Sequence, residues 1–140
     1  YGEEEGNIKK LVKELDLETQ VMFFKNISDG MKNALVSKSD IFVMPSIIHN
    51  KSVEGFGIVY AEAGLYGIPS IGGKDGGASD AIDHGKTGLI CNGNNLDDIY
   101  SSIKLILDNK KYLEYGKNAK SYVTKFYWPN IIKEFKKILD

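Results

Sequence analysis

Two carboxylates, Glu54 and Glu62, flank a glycine-containing segment and are separated by seven residues. The segment begins with Gly55-Phe56-Gly57, and its two glycines have no Cβ, so a ligand can approach the backbone closely. If a helix begins at Ile58 or one residue earlier, its first free N–H groups face the space that Glu54 borders. A helix start of this kind binds phosphate groups. The residue types and their spacing therefore predict two acids and an anion-binding helix end at one crevice.

Glu62 lies on the apolar stripe of a predicted helix over residues 57–66. The residues of that stripe recur at the spacing of one helical face and are Ile58, Ala61, Glu62 and Leu65. We expect this face to point toward the core, where a carboxylate needs partners because burying an unpaired charge is costly. The alternatives are an acid at the edge of the stripe that reaches solvent and, for the first carboxylate, a solvated loop acid. Spacing alone leaves both alternatives open.

Apolar residues along the chain follow two periods, which is typical of an α/β layer fold. Apolar runs of strand length are 21–24, 41–44, 68–71 and 88–91. Helices are predicted at 5–17, 29–37, 57–66, 79–83, after a capping Asn95, at 111–126 and at 131–139. Apolar strands that alternate with helices predict a Rossmann-like, mostly parallel sheet with helices on both faces. Such sheets usually have more strands than these, so we expect the first strand to lie before Tyr1.

The composition is that of an ordinary folded domain. The 140 residues fit one domain with a sizeable core, and 42% of them are hydrophobic and 26% charged, unlike disordered chains. The formal net charge of −1 argues against non-specific nucleic-acid binding. All 18 cationic residues are lysine. A bound phosphate must therefore rely on ammonium groups, backbone N–H groups and helix ends instead of a guanidinium fork.

Residue types that often mark functional sites are sparse. Cys91 is the one cysteine, which excludes an internal disulfide, and its apolar neighbours predict a buried structural thiol. His49 and His84 are too few and too isolated for a zinc site, so no metal site is expected. No apolar run reaches the length of a membrane span and no signal peptide opens the chain, which predicts a cytoplasmic protein. Lysine-rich helix faces at 110–111 and 133–137 leave peripheral contact with the inner face of a membrane open.

Several short motifs follow one another along nearly the whole chain. They are the loop 2–5, the run 21–24, the strand 39–46 ending in Pro-Ser, the two glutamates around Gly55-Phe56-Gly57, Glu62-Ala63 with 67–69, Gly76-Gly77-Ala78-Ser79-Asp80, and 85–89. In this order they resemble the motifs of retaining glycosyltransferases of family 4, which have the GT-B fold, and the glutamate pair resembles their E-x7-E signature. Lys25 stands where relatives usually have glycine, and Asp80 where they usually have glutamate.

The resemblance implies roles for individual residues. The second glutamate of relatives accepts hydrogen bonds from the ribose hydroxyls of a nucleoside diphosphate sugar, which corresponds to Glu62, and a carboxylate offers two oxygens for them. The first contacts a hydroxyl of the donor sugar, which corresponds to Glu54 and makes it the candidate catalytic residue. Backbone N–H groups beyond it reach the sugar or phosphate, and the helix end stabilises the leaving diphosphate. The further donor-binding residues implied are Gly55, Phe56, Gly57, Ile58, Gly76 and Gly77.

The resemblance also implies what the chain belongs to. Residues 1–140 would form the nucleotide-sugar-binding domain, a fragment of a longer protein whose N-terminal domain binds the acceptor. The donor would be a UDP-, GDP- or ADP-sugar, transferred with retention and without metal or other cofactor, in the synthesis of a surface polysaccharide, lipid-linked glycan or glycolipid. Residues 25–28 are candidates for the base pocket. The chain alone is expected to bind a donor weakly and to be inactive in transfer.

Two other functions compete with this interpretation. One is a nucleotide-sugar or sugar-phosphate binding module without catalytic activity, which the residues of this chain alone do not distinguish from an enzyme half. The other is a signalling receiver domain on a similar sheet. A receiver needs a phosphorylatable aspartate at the end of a strand, whereas Asp40 begins its predicted strand, so the receiver is disfavoured.

Overall fold

The computed structural model describes residues 2–139, which form two compact units divided between Lys32 and Asn33. In the first unit, helix α1 spans Glu5–Glu14. It ends in a Schellman motif, in which the Leu17 N–H donates to the Val12 carbonyl at 2.9 Å and Asp16 takes the left-handed conformation with φ of 54°. The helix is therefore shorter at its C-terminal end than the predicted 5–17.

The predicted strand at residues 21–24 is wrong, since no strand is found there in the part of the chain that the structure describes. The Val21 N–H donates to the carbonyl of Leu17 at 3.0 Å and so closes a turn. This amide is therefore not available for hydrogen bonding to a neighbouring strand. Met22 next to it is 75% exposed. An apolar run becomes a strand only where a neighbouring strand takes up its hydrogen bonds, and periodicity does not report on that neighbour.

Helix α2 spans Asp29–Ser37, as predicted, and leads into the second unit. The second unit is built on three parallel strands in the order β1-β2-β3: β1 is Phe42–Met44, β2 is Ser70–Gly73 and β3 is Gly88–Cys91. The strand predicted at 68–71 is shifted by two residues. The Ile68 N–H is used by the Ala63 carbonyl at 3.1 Å, and Pro69 has no N–H to give, so pairing begins at Ser70.

Helices cover both faces of this sheet, which confirms the predicted fold class. They are α3 at Ile58–Leu65, α4 at Ala78–Ala81, α5 at Leu96–Asp108, α6 at Lys111–Tyr122, a 3-10 turn at Val123–Phe126 and α7 at Trp128–Leu139. Strand side chains alternate between faces. Ile71, Leu89 and Cys91 pack with Ile106 of α5 and Tyr115 of α6. The other core cluster joins Tyr60 of α3 and the apolar residues of α4 to Phe42, Met44 and Ile90.

Three helix boundaries bear on the predictions. Asn95 caps α5, and its Oδ1 accepts hydrogen bonds from the Asp97 and Asp98 N–H groups at 2.9 and 3.2 Å, as expected. The helix predicted over 111–126 is divided, because its last four residues tighten into the 3-10 turn. The last helix begins at Trp128, earlier than predicted, with Pro129 in its first turn, where its missing N–H costs nothing. Within residues 2–139, none of the helices combines the length and apolar character needed to cross a bilayer.

Candidate functional site

The candidate site lies where β1 and β2 end. Because the two strands are parallel neighbours, the loop 45–57 that follows β1 and the turn 74–77 that follows β2 emerge at the same edge of the sheet. This carboxyl edge is where open α/β sheets bind ligands. The loop carries Glu54, and the turn carries Gly76 and Gly77.

The loop and the turn touch through their backbones. The Gly77 N–H donates to the Glu54 carbonyl at 3.2 Å. A Cβ added at Gly76 would lie 2.6 Å from that same carbonyl oxygen, and one added at Gly77 would collide with the carbonyl of Gly55. Gly76 also has φ of 107°, which disfavours any side chain. The structure thus brings the two glycine segments singled out in the sequence into one contact, and only glycine fits there.

Helix α3 begins at the end of the loop. Gly57 caps it with φ of 72° and ψ of 57°, and the Gly57 carbonyl accepts from the Tyr60 N–H at 3.0 Å. A glycine cap has no side-chain oxygen to offer to the first N–H groups of the helix. These amides therefore depend on water or on a ligand. Ile58, the first helical residue, is 67% exposed, whereas Gly57 before it is buried; that the helix start binds an anion stays a prediction.

Glu54 is half-buried and lines a polar cavity of about 310 Å³ with Ser46, His49, Ser52, Ile47 and Val53. His49 and Ser52 exchange backbone hydrogen bonds of 3.1 and 2.8 Å. The two residues between them, Asn50 and Lys51, have φ of 48° and 64°, as a tight primed turn requires. This turn sets His49 and Ser52 beside Glu54. From the sequence, His49 was considered only as a zinc ligand, whereas the turn signal of Asn50 could have placed it next to Glu54.

Glu62 is half-buried and lines a larger, apolar groove of about 570 Å³. The groove is also lined by Phe56, Ile58, Ala61, Leu65, Val123, Phe126, Tyr127, Trp128 and Ile131. Ile58, Ala61, Glu62 and Leu65 thus share one face of α3, as the spacing predicted. Glu54 and Glu62 line different cavities. That both acids contact one ligand stays a prediction.

The expected inward direction of that face is wrong. α3 buries Tyr60, Ala63 and Gly64 instead. A Cβ at Gly64 would lie 2.5 Å from Val123 Cγ1 and 3.4 Å from the Ala119 carbonyl oxygen. The small residues therefore face the neighbouring helix, because they let the two backbones approach closely, and the bulkier apolar stripe is left to line the groove.

Tyr60 is a site residue that the sequence analysis did not identify. It is 2% exposed, and its hydroxyl donates to the Met44 carbonyl, at the end of β1, at 2.7 Å. Burial raises the pKa of its phenol, and the negative charge of Glu54 raises the pKa further. The sequence offered one indication of this role: a tyrosine on the helix that follows the loop, whose hydroxyl needs a polar partner if the ring is buried.

The remaining candidates have structural or unrelated surroundings. Cys91 is buried, and burial followed by the charge of Asp98 raises the pKa of its thiol, which disfavours the reactive thiolate. His84 Nδ1 accepts the Ile90 N–H at 2.9 Å. Lys25, in the first unit, pairs with Glu5 at 2.6 Å. Among residues 2–139 there is no group of three or more metal-ligating side chains suited to hold an ion.

Comparison with known proteins gives one consistent result. The sequence matches the family of Glycosyl transferases group 1 over residues 1–122. It is 30% identical over 120 residues to a GDP-mannose-dependent alpha-(1-6)-phosphatidylinositol monomannoside mannosyltransferase of Mycobacterium tuberculosis, covering 84% of this chain and 31% of that protein. It is 32% identical over 123 residues to an N-acetyl-alpha-D-glucosaminyl L-malate synthase of Bacillus anthracis, covering 87% and 30%.

Solved structures agree with the sequence comparison. Sucrose-phosphate synthase from Thermosynechococcus elongatus superposes with a TM-score of 0.80 at 26% identity, covering 99% of this chain and 34% of that one. HepE of Anabaena, in complex with UDP and glucose, superposes with a TM-score of 0.76 at 26% identity, covering 97% and 37%. The fold is that of a GT-B glycosyltransferase domain. The chain spans about a third of the length of these relatives.

Proposed function

Because the chain belongs to the group 1 family of glycosyl transferases, we propose that it forms the donor-binding part of an enzyme that moves a sugar from a nucleoside diphosphate sugar to an acceptor. One observation carries the proposal. The loop with Glu54, the turn with Gly77 and the start of α3, which has no side-chain cap, meet at the carboxyl edge of the sheet. We propose retention at the anomeric carbon and an acceptor site in a further domain.

The chemistry of the three components suits the three parts of a donor. The N–H groups at the start of α3, which no side chain caps, stabilise the negative charge that grows on the diphosphate as the sugar–phosphate bond breaks. The Glu54 carboxylate accepts a hydrogen bond from a hydroxyl of the sugar in the polar cavity. The Glu62 carboxylate accepts the ribose hydroxyls. The apolar walls of its groove, Phe56 among them, would face the nucleoside.

The proposal includes no metal and no other cofactor. Diphosphate charge is then neutralised by backbone N–H groups and by lysine, since the chain contains no arginine. Lys74 in the turn after β2 is exposed and is the nearest lysine in sequence to Gly76 and Gly77. We further propose a cytoplasmic location, where nucleotide sugars are made.

Calorimetric titration with UDP-glucose, GDP-mannose and ADP-glucose tests the proposal. The nucleotides of the first two are those named for HepE and the mycobacterial mannosyltransferase. We expect saturable binding of one donor. Glu62→Ala should then cost about 1–3 kcal/mol of donor affinity, the magnitude of hydrogen bonds to a charged group.

Glu114→Ala provides the matched control, since Glu114 is an exposed acid on α6 that lines neither cavity. It should bind the donor like the wild type. Failure of the wild type to bind any of the three donors would overturn the proposal for this chain. Equal binding by wild type and Glu62→Ala would overturn only the ribose assignment. Binding without transfer by the complete protein would favour a non-catalytic module.

A further inference from the structure

Tyr60 contacts both strands that end at the candidate site and the last residue of the loop between β1 and α3. Its hydroxyl donates to the Met44 carbonyl at 2.7 Å, and that carbonyl also accepts the Ser46 N–H at 2.8 Å. The hydroxyl of Tyr60 therefore anchors helix α3 to the end of β1, at the carbonyl that also accepts from the first residues of the following loop.

The ring of Tyr60 fixes the other end of the loop. Gly57 lies so close to it that a Cβ there would run into Tyr60 Cε2 and Cδ2. A Cβ at Gly72 in β2 would lie 3.3 Å from Tyr60 Cζ, and the Phe42 ring packs edge-on with centroids 6.0 Å apart. The loop 45–57 is thus held near both of its ends by a single side chain from the helix that it leads into.

The hydroxyl remains a hydrogen-bond donor at any ordinary pH. Burial raises the pKa of the phenol above its usual value, and the charge of Glu54 raises it further. A neutral donor in this position is compatible with an ionised Glu54, whereas a phenolate would repel it. Five residues of sequence lie between the loop acid and this helix residue, so the fold brings the charge of Glu54 near enough to act on the phenol.

We infer that Tyr60 is a positioning residue: its phenol holds the loop 45–57 against the ends of β1 and β2 and so fixes the Glu54 carboxylate for the donor sugar. This inference rests on the proposed function only in naming the sugar. The rival explanation is that Tyr60 is a core residue whose ring fills space. The first explanation requires the hydroxyl of Tyr60 for donor binding, whereas the second requires only its ring.

Tyr60→Phe separates them, because it keeps the ring and removes the hydrogen bond to the Met44 carbonyl. The ligands are the donor that binds tightest among UDP-glucose, GDP-mannose and ADP-glucose, and the corresponding nucleoside diphosphate without sugar. We expect donor affinity to fall about three- to tenfold, the magnitude of one lost hydrogen bond, and affinity for the diphosphate to stay the same. A uniform loss of affinity for both ligands, or no loss, overturns the inference.

Two further variants sharpen the test. Tyr115→Phe removes the hydroxyl of another buried tyrosine, which belongs to the opposite core cluster, and should leave both affinities unchanged. Tyr60→Phe should cost no additional donor affinity in a Glu54→Gln background, because the two residues act through one carboxylate. Additive losses in the double variant would show that Tyr60 does not act through Glu54.

A ligand-free measurement separates failure of this inference from failure of the proposed function. Amide hydrogen exchange at Gly77 should accelerate in Tyr60→Phe and not in Tyr115→Phe, because this amide donates to the Glu54 carbonyl of the loop that the phenol holds. If the wild type binds no donor, the proposed function fails while the exchange result still decides the role of Tyr60. Unchanged exchange would overturn that role.

Discussion

Glu5 shows how strongly two lysines can hold one acid in this chain. Its Oε1 accepts from Lys9 Nζ at 2.7 Å and its Oε2 from Lys25 Nζ at 2.6 Å. These hydrogen bonds, the one from Lys25 above all, lower the pKa of Glu5 from 4.5 to about 2. Since the folded chain binds the proton more weakly than the unfolded chain, the stabilisation is complete above pH 4.5 and is lost as the pH falls toward 2.

Glu5→Gln should therefore lower the melting temperature at neutral pH, and its difference from the wild type should shrink as the pH is lowered through the interval from 4.5 to 2. Thermal melts monitored by circular dichroism at several pH values measure that difference. Glu14→Gln is the matched control on the same helix, because its pair with Lys10 is longer, at 3.6 Å. A constant difference between wild type and Glu5→Gln down to the lowest pH would contradict the assignment.

For single residues, the sequence predicted positions on a helix or loop better than the contacts that the side chains make. The spacing of Glu54, Gly57 and Glu62 predicted a helix that begins after Gly57 and a shared face for Glu62 with Ile58, and both are found. Tyr60 and His49 were missed. The partner of the Tyr60 phenol, the Met44 carbonyl, is distant in sequence, and no spacing rule within a helix or loop reports such a partner, whereas the local turn at Asn50 could have indicated His49.

Helix α5 has a clear capping signal in the sequence, Asn95, and the contribution of this cap to stability can be tested. The Asn95 Oδ1 accepts from two backbone N–H groups, and Asp97 and Asp98 add negative charge to the first turn. Asn95→Ala should destabilise the chain by about 0.5–2 kcal/mol, the usual range for a lost cap.

Denaturant unfolding of the wild type and Asn95→Ala measures this effect, and Asn95→Ser should restore most of the stability, because serine also caps helices well. Asn94→Ala, one residue earlier and exposed, is the neutral comparison. Equal stabilities of the alanine variant at residue 95 and the wild type would show that water satisfies these amides as well as the side chain does.

Elements defined by local signals were predicted well, and those defined by neighbours were not. α2, β3 and the start of α5 have their own caps or apolar runs and agree with the sequence. The run 21–24 has the composition of a strand but no ladder in the described chain. α3 turned its small face inward because Gly64 packs against Val123 and Ala119. Both errors concern the partner of an element, which periodicity does not specify.

The molecule as a whole leaves a continuous apolar stripe on α7 in contact with solvent. The stripe consists of Trp128, Ile132, Phe135, Ile138 and Leu139, and Phe135 is 62% exposed. These residues recur at helical spacing on one side, and lysines occupy the other side. Apolar surface of this kind favours association in water.

We therefore expect the isolated chain to self-associate with increasing concentration in sedimentation velocity experiments. Phe135→Ser should weaken the association about tenfold or more, as burial of one aromatic side chain would predict. Lys133→Ser, on the polar side of the same helix, should have little effect. A chain that stays monomeric at high concentration, or equal association by both variants, would contradict this expectation.

The backbone contact at Gly77 has a mechanical consequence. With no gap between Gly77 and the carbonyls of Glu54 and Gly55, the loop and the turn cannot be displaced separately. A push on the loop is passed to the turn and from there to Ala78, the first residue of α4. Binding of a ligand against the loop 45–57 would thus be expected to shift that short helix slightly on the sheet face. The shift would depend on the absence of a side chain at Gly77, which allows the direct backbone contact.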